Sequence, residues 1–244
     1  MMADVGTVLW KELKEIPRQS SGRRGGPVSI LVVIALIGVF VPLQAGVKFL
    51  NPSQLGVIVV LPVMMILAVI ADSFAGERER HTLETLLASP LSDRAILFGK
   101  IAAAVGWGWG ISMLSLALGL VTVNLKFGEG KLLMFAPDTA LAVVLGSLLG
   151  GIFMASAGVL VSLRASTVRQ AQQTLSMSFL VLIFGAVFGI RALPSAWLIA
   201  MSRFITTTGE MTLIFVAAGM VLLIDLVILG AAMARFQRSR LILD

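Results

Sequence analysis

The stretch LGVIVVLPVMMILAVIADSFAGERERHTLETLLASPLSDRAILFGK, residues 55–100, decides the fold. From Leu55 to Phe74 its only charge is Asp72. A helix rises about 1.5 Å per residue, so about 20 such residues cross the roughly 30 Å hydrocarbon layer of a bilayer. The polar run that follows then leaves the membrane. Five more segments read the same way, giving spans over Val28 to Val47, Leu55 to Phe74, Ile96 to Val123, Thr139 to Leu163, Thr174 to Ile190 and Met211 to Ala234.

Composition agrees. The 244 residues are 58% hydrophobic and 13% charged, with a mean hydropathy of +0.99, whereas a soluble domain carries about 25% charge. The expectation is an all-α membrane protein with one domain, 1–244. Residues 1–27 form an amphipathic helix and linker, 28–234 a six-span bundle and 235–244 a tail. Cysteine is absent, which excludes disulfides, thiolate metal sites and cysteine nucleophiles. The net charge of +6 belongs to topology and anionic lipid, not to nucleic acid.

Six spans put both termini on one side. That side carries Lys11, Lys14, Arg18, Arg23, Arg24, Arg78, Arg80, Arg94, Lys100, Arg164, Arg169, Arg235, Arg238 and Arg240. The other has Lys48, Lys126, Lys131, Arg191 and Arg203. Basic residues mark the cytoplasmic side, so both termini are expected there. The first apolar run starts only at Val28, after Asp4, Glu12 and Glu15, unlike a cleaved leader.

Ahead of the first span, Val5, Val8, Leu9, Leu13 and Ile16 recur at helical spacing, with Lys11, Glu12, Lys14 and Glu15 on the other face. Asp4 is suited to cap this helix and Pro17 to end it. Such a helix lies in the inner membrane interface with Trp10 at headgroup depth, or packs on the bundle. The fourth and fifth spans carry Gly146, Gly150, Gly151, Gly185 and Gly189, small residues that favour close helix packing.

In the loop after the second span, Leu83, Leu86 and Leu87 form one apolar face, Pro90 stops the helix and Ser92 caps the next. This run resembles the signature of type-2 ABC transporter permeases: Gly76 to Glu79, Thr82 to Glu84, Leu86-Leu87, Pro90 and Gly99-Lys100. The resemblance implies a permease that pairs with a second copy or a paralogue, in a bacterial or archaeal cell membrane. Separate cytoplasmic ABC ATPase chains would bind the ATP and Mg, this chain holding no cofactor. Glu84 to Ser89 would be the main coupling helix, and Glu77, Arg78, Glu79, Arg80, Thr82, Leu83, Glu84, Leu86, Leu87 and Pro90 the coupling residues. Arg164 to Gln173 would add a smaller contact, and Arg191 to Glu210 would match the short outer re-entrant helices. The chain itself contains no Gly-x-x-x-x-Gly-Lys-Ser/Thr phosphate loop; Gly128-Glu-Gly-Lys131 lacks its spacing and its Ser or Thr.

Within the spans, Asp225 is the acidic residue set deepest. Burying a carboxylate there costs at least about 2.5 kcal/mol on insertion scales, so it faces the bundle interior or a wet cavity. It either rests neutral against a neighbour or takes part in proton or cation movement. Gln173, Thr174 and Ser178 form a polar stripe at the start of the fifth span, and Trp107 and Trp109 sit among glycines mid-span; each lines a path or packs between helices. Asp72 and Lys100 read as anchors near the cytoplasmic ends, Lys100 reaching out to the interface. His81 has no companions that would build a metal or hydrolytic site. Two other functions are compatible with these residues: a secondary ion or solute transporter working through Asp225, and a membrane scaffold with no transport cycle.

Overall fold

A computed structural model of the chain describes residues 2–22 and 26–236. Arg23 and Arg24 of the linker and Arg238 and Arg240 of the tail lie outside the described residues. The described chain is all helix: α1 (Met2–Gly22), α2 (Gly26–Ala35), α3 (Val41–Ala45), α4 (Leu55–Glu79), α5 (Leu83–Leu87), α6 (Asp93–Phe127), α7 (Pro137–Ser162), α8 (Val168–Ala192), α9 (Ser195–Thr207) and α10 (Glu210–Arg235). Five segments among the described residues are long and apolar enough to cross a membrane: Ile30–Leu50, Asp93–Phe127, Pro137–Ser162, Val168–Ala192 and Glu210–Arg235. The predicted second span falls within α4, 25 residues long, or about 37 Å at the helical rise.

α7 sits at the centre, against α4, α10, α6 and α8. The main core joins Ile66, Ile70 and Phe74 of α4 to Leu97 and Ala104 of α6 and to Val159 of α7. Apolar contact alone does not drive helices together in lipid, so close backbone approach does. Ile66 presses on Gly108 and Gly151, and Ile70 on Gly158, at points where an added Cβ would overlap them. Gly185 and Gly189 differ from expectation, since nothing lies within 4 Å of the place their Cβ atoms would occupy. They stand on the outward surface of α8, where this single chain supplies no neighbour.

The first span is not one regular helix. A π-helical turn, Leu36–Phe40, joins α2 to α3, and 3₁₀ turns Gly46–Leu50 and Pro52–Gln54 lead on to α4. Pro42 has no N–H to offer the Gly38 carbonyl one turn back. Thr122 of α6 donates its hydroxyl to that carbonyl at 2.7 Å, and Leu118 packs against Gly38. At the far end of α6, Phe49 is buried over Gly119, and Asn124 closes the following loop by bonding both backbone groups of Leu133.

α1 also departs from expectation. It runs on through Pro17 to Gly22. One face packs along α6, with Val8 against Gly99. The other is open, and Trp10 is 63% exposed under the Lys14 ammonium.

Candidate functional site

Where α1, α4, α5, α6 and the α7–α8 turn meet, two charged residues of the 76–100 stretch, Glu77 and Lys100, are buried. Lys100 is 2% exposed. Its ammonium lies 2.7 Å from a Glu12 carboxylate oxygen and 3.4 Å from one of Glu77, with the Phe74 ring 5.5 Å away. Lys100 therefore does not reach out to the interface as expected; two carboxylates from different helices neutralise it inside. Glu12, placed by sequence on the polar face of α1, lies in the buried stripe with Val8 and Ile16. Spacings of four residues from Val8 to Glu12 and from Glu12 to Ile16 were the available signal.

Glu77 also accepts a very short hydrogen bond from the Thr82 hydroxyl. Burial pushes the Glu77 carboxyl up, but the Lys100 charge, the Thr82 bond and the Lys11 charge outweigh it and hold the group below its ordinary 4.5. Arg78 spans to the next helix pair, donating to the carbonyls of Ala165 at 2.8 Å and Leu163 at 2.9 Å, where α7 ends. Glu79 accepts from the Val168 N–H, in the first turn of α8, at 3.0 Å, a site where an anion offsets the positive helix end. Arg80 pairs with Asp72 at 3.3 Å across Gly76, where any side chain would collide with both partners. Thus Glu77, Arg78, Glu79 and Arg80 each bind within the chain, fastening four elements to the end of α4.

His81, in the left-handed region at φ 56°, turns the chain into α5. Leu83 is buried in the core and Leu86 packs partly against it; the side chain of Leu87 lies outside the described set. Leu83 and Leu86 therefore look inward, and Glu84 and Thr85 of α5 are exposed, as is Ala88 just after it. Pro90 is exposed in the turn that follows, and the Ser92 hydroxyl caps α6 by accepting from the Ala95 N–H.

The residues singled out inside the spans do not converge. Gln173, Thr174 and Ser178 are exposed on α8 along a shallow, open and mainly apolar groove lined by that helix alone, with Met177, Leu180 and Val181. Trp109 of α6 instead donates its indole N–H to Ser147 of α7 at 3.2 Å, and Trp107 is half-buried on α6. Asp225 is 2% exposed on α10, the helix that packs chiefly on α7. Neither of its carboxylate oxygens has a hydrogen-bond partner among the described residues.

The structure thus presents a polytopic helical bundle with a charged, internally braced loop at one end and a shallow groove edged by polar side chains along one spanning helix. No curated protein matches the chain. The profile of the ABC-2 type transporter family matches residues 3–209, taking in the braced loop, the groove and every span before α10. The chain belongs to the ABC-2 type transporter family, as a multi-pass permease subunit of an ABC transporter.

Proposed function

We propose that the chain is the permease of an ATP-driven exporter in a bacterial or archaeal cell membrane, with six spans, both termini cytoplasmic and a second copy or paralogue beside it. Separate ABC ATPase chains bind ATP and Mg and dock on the outward face of α5, with a smaller contact at the α7–α8 turn. One observation carries this reading: the Glu12–Lys100–Glu77 cluster and the Arg78 bridge tie the ends of α1, α4, α6 and α7 together, and Thr82, at the start of α5, bonds Glu77. A push on α5 is then passed to α1, α4, α6 and α7 as one body, which is the property needed to bias a bundle between two arrangements.

The groove on α8 supports a translocation path. Gln173, Thr174 and Ser178 would otherwise face lipid, where polar side chains are disfavoured. With Gly185 and Gly189 bare on the same helix, α8 suits the surface that meets a second copy, the path running between the two. The orphaned Asp225 favours a second reading, ion-driven transport without an ATPase.

The test is a detergent pull-down of the tagged chain from its own membrane, with the partners identified and ATP hydrolysis assayed. An ABC ATPase should co-purify with the unaltered chain and be lost, with its hydrolysis, from Glu84→Arg, Thr85→Arg, while the variant still inserts and elutes as one species. Absence of any ATPase from the unaltered preparation, with ion-driven transport that vanishes in Asp225→Asn, would replace the exporter by the second reading.

A further inference from the structure

Among the described residues three buried side-chain polar atoms lack a hydrogen-bond partner: both carboxylate oxygens of Asp225 and the hydroxyl of Ser156. Ser156 is fully buried on α7 and Asp225 is 2% exposed on α10, and these two helices pack extensively on each other. Two places align them: Asp138 and Glu210 lie close enough to interact at one end, and Leu160, Arg164, Ala231 and Arg235 line one cavity at the other. Interpolating between these points sets Asp225 level with Phe153 and Met154, so Ser156 lies within about one turn of it along the axis. All of the unmet buried side-chain polarity found thus falls in one seam at one depth.

Unpaired buried groups of this kind imply a ligand or a proton. Among the described residues, neither α10 nor α7 sets a counter-charge close to an ionised Asp225. Arg235 is ten residues along α10, about 15 Å at the helical rise, and Glu210 is about 22 Å the other way. α7 carries no titratable side chain between Asp138 and Ser162. A bound metal cation is poorly served, since hard cations take about six to eight oxygens and the seam offers three side-chain oxygens between helices whose carbonyls are engaged in their own ladders. One proton meets the need. It neutralises the carboxyl, lets the acid O–H bond a carbonyl of the preceding turn, and leaves the other oxygen to accept from the Ser156 hydroxyl.

We propose that the α7–α10 seam is a proton-binding site centred on Asp225 and completed by Ser156. The proton adds to a carboxylate oxygen while the seam is closed and returns to water when the seam opens, so opening these two helices moves one proton.

The test uses the full-length chain in lipid nanodiscs and dicyclohexylcarbodiimide, which attacks protonated carboxyls in apolar surroundings. Asp225 should be modified, as located by mass spectrometry of the digested chain, with labelling that falls as pH is raised and is unchanged by excess sodium or potassium. Infrared spectra should show a protonated-acid carbonyl band that is absent from Asp225→Asn and moves to higher frequency in Ser156→Ala. Asp225 left unmodified at every pH, with no such band, would overturn the proposal. Protection by sodium or potassium would overturn it in favour of a metal cation, and an unshifted band in Ser156→Ala would remove Ser156 from the site.

Discussion

Lys100→Met removes the ammonium that two carboxylates share and keeps most of the side-chain volume. At separations of 2.7 Å and 3.4 Å and an effective dielectric of about 20, the two attractions are worth about 6 and about 5 kcal/mol before desolvation is charged against them. Desolvation offsets much of that, and breaking a buried pair by deleting one partner costs about 3–5 kcal/mol, because the survivors stay buried without compensation. For a chain of this length that corresponds to a fall in melting temperature of roughly 6–20 °C. Tryptophan fluorescence or loss of the monodisperse peak on heating in detergent would measure it. The triple change Lys100→Met, Glu12→Gln, Glu77→Gln should recover most of the loss, since no charge is left stranded. pH supplies an independent check. Glu77 is held below 4.5 when folded, so its contribution is present above 4.5 and is lost as pH falls through the lower folded value. In Lys100→Met the sign reverses, and acidification restores stability. A melting temperature that stays within about 2 °C of the unaltered chain, less than about 1 kcal/mol, or a triple variant no better than the single, would refute a buried cluster.

Arg78→Lys should destabilise nearly as much as Arg78→Ala, by about 1.5–3 kcal/mol for charged hydrogen bonds, because only the guanidinium fork reaches the Leu163 and Ala165 carbonyls together; denaturation in mixed micelles would show it. Gly158→Ala overpacks Ile70 and should cost about 1–3 kcal/mol, with partial recovery in Gly158→Ala, Ile70→Ala. Gly185→Ala, with open space around it, should leave the single chain's melting unchanged and act on self-association alone, as read by crosslinking. At the starts of α7 and α10, the hydrogen bond between the carboxyls and the Asp138 charge raise Glu210 above its ordinary 4.5, and the same bond lowers Asp138 below its ordinary 3.8. Their contact should therefore loosen as pH rises through the raised Glu210 value and also as it falls through the lowered Asp138 value. Spin labels on cysteines introduced at Ala136 and Gly209 should report the widening, and Glu210→Gln should abolish its alkaline limb.

Much of this arrangement is legible in the sequence, because bilayer thickness acts on run length and nothing else. The apolar runs mark α7 and α10 to within two residues, whereas α4 runs five residues past Phe74 and α8 starts six before Thr174, and Ser92 caps α6 as its chemistry requires. What the sequence hides is which face each residue turns to a neighbour. Glu12 reads as solvated because it is charged, yet its spacing from Val8 and Ile16 puts it in the buried stripe. Leu83 reads as a docking surface because leucines near a polar loop invite a partner, but the nearest apolar partner is the chain's own core. Glycine is equally ambiguous: Gly158 receives Ile70 and Gly189 receives nothing in this chain, and both carry the same letter. The groove residues of α8 were readable as a stripe, whereas the separation of Asp225 from them depends on how α10 docks, a matter of tertiary contact.

The bond between Thr122 and Gly38 joins residues 84 positions apart, which gives it a place in time as well as in space. A ribosome adding about 5–20 residues each second passes Gly38 roughly 4–17 s before Thr122 exists. Throughout that interval the Gly38 carbonyl, which Pro42 cannot serve, lacks the Thr122 hydroxyl that meets it in the folded chain. The first span therefore gains this polar contact only once α6 is present. The proline thereby makes full satisfaction of the first span conditional on the third.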